Sequence, residues 1–141
     1  MQITRQADYA VRAVLYLAHL GRDKKAATSE IAKEQEIPLS FLAKIVAQLS
    51  LAGILQTKRG AQGGVVLARD PEDITLLEVV EAIDGPIMLN ECVNGEYDCP
   101  LTLCPVREVW HEAQSDLVDR LRDATFAHFT NKIEVSENGK A

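Results

Sequence analysis

Three cysteines fall within thirteen residues of this chain, Cys92-Val-Asn-Gly-Glu-Tyr-Asp-Cys99-Pro-Leu-Thr-Leu-Cys104, and the sequence holds no others. Glycine, proline, asparagine and aspartate between them make the stretch a loop rather than a regular element. Thiolates are soft ligands that select zinc, Cu(I) or iron–sulfur clusters. Structural zinc sites usually draw on close C-x2-4-C pairs, because one tight turn presents two sulfurs in tetrahedral geometry. The C-x6-C-x4-C spacing here is looser and suits a wider cluster better than a single ion. Three cysteines also leave one coordination position unfilled by sulfur. Asp8, His111 and the loop's own Glu91, Glu96 and Asp98 are candidates to fill it, and spacing alone does not choose among them. Asp8 equally suits a helix-surface ion pair with Arg12, worth ~0.3–0.5 kcal/mol. His111 equally suits a solvent-facing or capping position. An odd cysteine count argues against a disulfide framework and for metal or redox chemistry.

Such a loop needs rigid neighbours, and apolar periodicity supplies them. Thr4 can cap a first helix on which Ala7, Val11, Val14 and Ala18 share a stripe, ended by the polar break Gly21–Lys25. Thr28 is expected to cap a short second helix, Ser29 to about Gln35, that buries Ile31 and Ala32. Glu36-Ile37-Pro38 is a tight turn, since Pro38 bars continuation of the helix before it. A third helix follows from Leu39 to about Ala52, with Leu42, Ile45, Val46 and Leu49 inward and Gly53 closing it. Two short helices joined in this way match a helix-turn-helix. Ile54–Thr57 and Val65–Ala68 read as strands around the glycine-rich tip Lys58-Arg-Gly-Ala-Gln-Gly-Gly64, a wing. Thr75 caps a fourth helix that turns Leu76, Val79, Val80 and Ile83 inward and ends at Asp84-Gly-Pro86.

After the cysteine loop, Pro105 suits the first position of a long helix of roughly 25 residues. Trp110, Ala113, Leu117, Leu121, Ala124 and His128 recur along it at steps of three and four. A helix of that length outgrows what so small a domain can bury, which implies a partner helix. The chain divides into a winged helix-turn-helix at 1–86, the cysteine loop at 87–104, a dimerisation helix at 105–131 and a frayed tail at 132–141. The fold class is mainly α with a small β-hairpin wing.

Net charge is −6, which on its face disfavours nucleic acid, but the charge is uneven. Residues 1–70 carry ten Lys/Arg against six Asp/Glu, and residues 71–141 carry five against fifteen. A basic front half attracts a polyanion to one face of the molecule. A helix-turn-helix sets the N-terminal residues of its second helix at base edges in the major groove. Ser40, Phe41 and Lys44 occupy those positions, Phe41 suiting contact with a thymine methyl or internal packing. Gln48 lies farther along, toward the backbone. At the wing, Lys58, Arg59 and Gln62 can meet phosphates, and Arg59 can enter a narrow minor groove. Cations that are merely solvated on a protein-contact module are the plainer alternative.

No enzyme constellation competes. The sequence lacks a Walker loop, a nucleophile elbow and an HExxH helix, and its three histidines do not cluster. The glycines at 60, 63 and 64 precede a strand rather than opening a helix, so they are no dinucleotide fingerprint. No apolar run reaches the eighteen residues of a membrane span. Residues 1–8 lack the pattern of a secretion signal, so the cytoplasm is expected.

Taken together, Ser29-Glu-Ile-Ala-Lys, Pro-Leu-Ser-Phe-Leu42, Leu49-x-x-Ala-Gly53 and Arg59-Gly-x-x-Gly-Gly-x-x-Leu-Ala68, followed by three cysteines, resemble the Rrf2 family of bacterial winged-helix regulators, with its IscR-, NsrR- and RirA-like branches. Tyr9-Ala-Val-Arg fits the family's first helix, and the resemblance runs from Ile3 to about Phe129. It implies a homodimer on double-stranded promoter DNA, with an iron–sulfur cluster held by Cys92, Cys99 and Cys104. In IscR-like members a histidine three residues after the last cysteine completes a 2Fe–2S site. Arg107 stands there in this chain and cannot ligate. In NsrR-like members an aspartate of the partner's first helix completes a 4Fe–4S site, a position Asp8 matches. The resemblance therefore favours 4Fe–4S with Asp8 from the other subunit and His111 in reserve. It implies a repressor sensing nitric oxide, oxygen or other redox change, or iron–sulfur status. The alternatives are a cluster-free regulator with a zinc or thiol-switch site, and an electron-transfer or cluster-carrier protein.

Overall fold

A computed structural model describes residues 2–61, 63–94, 99–101 and 103–130. The organising element is α1 (Arg5–Leu20), which buries Ala7, Ala10, Ala13, Val14 and Leu17 completely. Small residues at this spacing let neighbouring helices approach closely, and α3 (Leu39–Leu51) and α4 (Leu76–Asp84) both pack on α1. The Thr4 hydroxyl caps α1 by accepting from the Ala7 amide at 3.1 Å. The Thr4 amide in turn donates to Asp84 at 3.2 Å, which ties the start of α1 to the end of α4. Thr75 and Glu78 form a full capping box on α4.

The helix-turn-helix is α2 (Thr28–Glu34) followed by α3. Leu42, Ile45, Val46 and Leu49 are the buried face of α3, as their spacing predicts, and Gly53 beyond it adopts a left-handed φ of 76°. One local expectation is corrected. Thr28 is the first residue of α2 rather than its cap; the cap position is Ala27, with no side-chain hydrogen bond. Its neighbour Ala26 exchanges backbone hydrogen bonds with Val65 at 3.0 and 2.8 Å, so the chain enters the helix already extended and fixed. The wing is an antiparallel pair, β1 (Leu55–Lys58) and β2 (Gly64–Leu67), with Leu55 opposite Leu67 and Lys58 opposite Gly64.

The long C-terminal helix is the larger correction. It starts at Arg107, Pro105 and Val106 forming the turn ahead of it, and ends at Asp123, so α5 (Arg107–Asp123) has 17 residues rather than roughly 25. Ala124 is extended and Thr125 bridges to Thr75. The Leu76 amide donates to the Ala124 carbonyl at 2.8 Å, and the Phe126 amide donates to the Ile74 carbonyl at 3.0 Å. Phe126, fully buried in the main core, then opens a helical turn at 126–130. Burying one phenyl ring is worth about 1.5–3 kcal/mol. That gain and two new backbone hydrogen bonds outweigh continuing a helix whose last turns are mostly charged. The tail at 132–141 lies outside the described residues.

No residue of α5 is fully buried. Leu117, Val118 and Leu121 rest against a second small core of Ala7, Leu77, Val80 and Ile87. On its first turns and just before them, Leu101, Leu103, Val106, Val109 and Trp110 are exposed. Among the described residues, no helix is long and apolar enough to cross a membrane.

Candidate functional site

Two surfaces hold the residues that the sequence singles out. On the first, Ser40, Phe41 and Lys44 are all exposed on α3, and Lys58 and Arg59 are exposed at the wing tip. Gln62 lies outside the described residues. The tip has a glycine where nothing larger fits: a Cβ on Gly63 would stand 2.1 Å from the Lys58 carbonyl oxygen. The recognition helix is braced from behind. The Phe41 ring lies 6.3 Å from that of Tyr9 on α1, and the Arg12 guanidinium caps Tyr9 at 4.9 Å. Arg12 also donates to the carbonyl of Gln35, the residue that ends α2, at 2.9 Å. Its Nε meets the Asp8 carboxylate at 3.3 Å.

Arg22 performs a similar task for the wing, and the sequence reading missed it, having placed it in a polar break. Its guanidinium donates to the carbonyls of Leu67 and Ala68 at 2.8 and 3.0 Å and pairs with Asp70 at 3.1 Å. The end of α1 thereby fixes the strand that carries the wing. Nothing in the spacing of residues 22 and 67–70 announces this contact.

The second surface is the cysteine loop. Cys92 sits in a short 3-10 turn, Glu91–Asn94, and Cys99 and Cys104 follow; all three are free thiols, half-buried. Glu91 is exposed, and Glu96 and Asp98 lie outside the described residues. The approach to the loop is held by Gln114 of α5, whose side chain donates to the Ile87 carbonyl and accepts from the Leu89 amide at 2.9 Å. The Ile87 amide donates to Glu81 at 3.2 Å. Gln114 was not foreseen either. Its one signal was a polar side chain on the helical stripe of Trp110, Leu117 and Leu121.

The structure brings Cys104 and His111 to one place. With Leu103, Pro105, Arg107 and Glu108 they line an open groove of about 580 Å³. Arg107 Nε donates to His111 Nε2 at 3.4 Å, so that nitrogen is used as an acceptor. Asp8 is 63% exposed and held by Arg12 on its own helix. The three thiols are not gathered as a single ion would gather them. Among the described residues, the one trio of donor atoms within 4.8 Å is Asp70, Glu72 and Asp73, an exposed acidic turn. Tetrahedral zinc with Zn–S of about 2.3 Å would hold its sulfurs ~3.8 Å apart. A multi-iron cluster, with a separate iron for each thiolate, accepts a wider set. Three free soft donors on one loop fit such a group.

Comparison with known proteins agrees with this architecture. The chain is 36% identical over 138 residues to the HTH-type transcriptional regulator NsrR of Halalkalibacterium halodurans, covering 96% of this chain and 94% of that one. Its fold is similar to that of CymR, the global cysteine regulator of B. subtilis, with a TM-score of 0.80 at 22% identity over 94% of this chain and 98% of that one. It is also similar to T. potens IscR, with a TM-score of 0.78 at 24% identity over 96% and 90% of the two chains. The family model for Rrf2, described as an iron-dependent transcriptional regulator, matches residues 3–132. A winged helix-turn-helix with a basic tip, followed by a thiol-bearing loop, is thus accounted for from end to end: the chain belongs to the Rrf2 family of transcriptional regulators.

Proposed function

We propose that this regulator is a cytoplasmic homodimer and a repressor whose grip on promoter DNA is set by an iron–sulfur cluster. Cys92, Cys99 and Cys104 would hold the cluster, with Asp8 of the partner subunit as fourth ligand and His111 in reserve. The observation that carries the reading is the set of three free, half-buried thiols on a loop fastened to α5 by Gln114. The iron dependence named in the family description supports it. The exposed Val106, Val109 and Trp110 support a second copy against α5. When bound, a cluster with one weakly held carboxylate ligand supplies an iron open to nitric oxide or oxygen.

This chain's own residues give the signal a route to DNA. Asp8 is bound to Arg12, and Arg12 holds both the Gln35 carbonyl and the face of Tyr9, against which Phe41 packs. Recruiting Asp8 to the site takes a partner from Arg12, the residue that braces the recognition helix. Half-sites of a dimer lie ~34 Å apart, so a small rotation of either recognition helix changes the fit. Native mass spectrometry of anaerobically purified protein tests the proposal by counting irons, sulfides and subunits together. A brown dimer with iron and acid-labile sulfide is expected. A colourless protein with one zinc per chain would sink it. Asp8→Ala should change the visible spectrum and operator affinity; if both stay as they were, Asp8 leaves the ligand set.

A second reading keeps the regulator and drops the cluster, with the same three cysteines acting as a thiol switch. Three free, half-buried thiols on one loop are compatible with it. Membership of a transcriptional regulator family removes the electron carrier from consideration.

A further inference from the structure

The outer face of α3 carries chemistry that narrows what it can read. Leu39, Ser40, Ala43, Lys44 and Ala47 are all exposed. Steps of four set Leu39, Ala43 and Ala47 in one row, beside Ser40 and Lys44 in the next. Every residue of α3 is described, and the helix contains no arginine, asparagine, aspartate or glutamate. Its one glutamine, Gln48, is half-buried. In the major groove, guanine is read by bidentate arginine or lysine, adenine by asparagine or glutamine, cytosine by a carboxylate, and serine or threonine serves several bases without choosing among them. Apart from Lys44 and the unselective Ser40, this face offers none of those groups. It offers an apolar row, and the apolar group that bases present in the major groove is the C5-methyl of thymine.

Two further observations point the same way. Leu39, at the first turn where a recognition helix meets base edges, is 54% exposed, and Phe41 is 44% exposed. Phe41 is also held in place by Tyr9, itself capped by Arg12, so its exposed edge is fixed. The surrounding charges, Lys44 on the helix with Lys58 and Arg59 on the wing, match a polyanion rather than an apolar protein partner.

We propose that α3 reads thymine C5-methyl groups, with Leu39 and Ala43 as the specificity-determining contacts and Phe41 as a braced apolar edge beside them. The inference rests on the DNA-binding reading and adds the class of base that is recognised.

The test uses the full-length chain, purified anaerobically, to select duplexes from a random-sequence pool. The best duplex is then synthesised with deoxyuridine replacing each thymine in turn, which removes a methyl group and leaves every hydrogen-bonding group in place. At each thymine that is read, Kd should rise about fourfold, the factor for one buried methyl. Leu39→Ala is a surface change that leaves the fold intact, as circular dichroism will show. It should bring the deoxyuridine effect at one position per half-site to within about twofold and leave the others unchanged. If the variant loses affinity equally for thymine and deoxyuridine duplexes, Leu39 is not the reader. A selected duplex that binds as tightly with every thymine replaced overturns the inference while DNA binding stands. A pool from which no duplex is retained overturns both.

Discussion

The two candidate surfaces of this protein, the recognition helix with its wing and the cysteine loop, are built in opposite ways. The recognition helix and wing rest on a packed core: α1, α3 and β2 each bury most of their apolar face, and Arg12 and Arg22 fasten the helix-turn-helix and the wing to α1 through backbone carbonyls. Among the described residues, the cysteine loop is held mainly against α5, on which its 3-10 turn packs. It is reached through one glutamine clamp and followed by a helix with no fully buried residue. A surface that reads a fixed lattice of phosphates and bases gains from rigidity, whereas a sensor must change at small energetic cost. The difference is the one expected if the cysteine loop senses and the recognition surface responds, as proposed above.

That contrast can be broken or sharpened by substitution. The largest effect is expected at Phe126. Phe126→Ala removes a fully buried ring of the main core and should destabilise the protein by about 3–5 kcal/mol in urea unfolding. A loss under about 1 kcal/mol would mean that the C-terminal return is not part of the core. Gln114→Ala leaves the Ile87 carbonyl and the Leu89 amide without their partner and should cost about 1–2 kcal/mol. The same variant should weaken cluster retention, measured as the rate of bleaching in the presence of a chelator. Arg59→Ala should weaken operator binding by about 1 kcal/mol and lower the slope of log K against log salt by roughly one phosphate. An unchanged slope removes Arg59 from the DNA surface. Smallest of all, replacing Cys92, Cys99 and Cys104 together by serine should move the stability of the metal-free protein by less than about 0.5 kcal/mol. A larger loss would show that the thiols serve packing, and the contrast between the two surfaces would fail.

The DNA-binding half was legible in the residues because its signals are local. Periodicity gave the buried face of α3, Thr4 and Thr75 gave their caps, and the glycine-rich tip between two apolar runs gave the hairpin to within a residue. The contacts that aim these elements were not legible. Arg22 meets carbonyls 45 and 46 residues away, Arg12 one 23 residues away, and a backbone carbonyl leaves no mark in a sequence. The end of α5 escaped for a related reason. Ala124 and His128 continue the helical stripe, and only the distant strand-like edge at Ile74 and Thr75 favours leaving it. At the cysteine loop, spacing named candidate donors but not their arrangement, because among the described residues only the 3-10 turn at Cys92 is a regular element.

The return of residues 124–126 to the edge at 74–76 also sets a timetable for synthesis. A nascent chain emerges with its whole DNA-reading half already translated, yet the place beside Ile74 stays open until Phe126 has left the ribosome. By then the cysteine loop and α5 have been made. A product released early, anywhere in the loop, carries a recognition helix on an unsealed body. Such a product lacks the Phe126 ring that completes the main core.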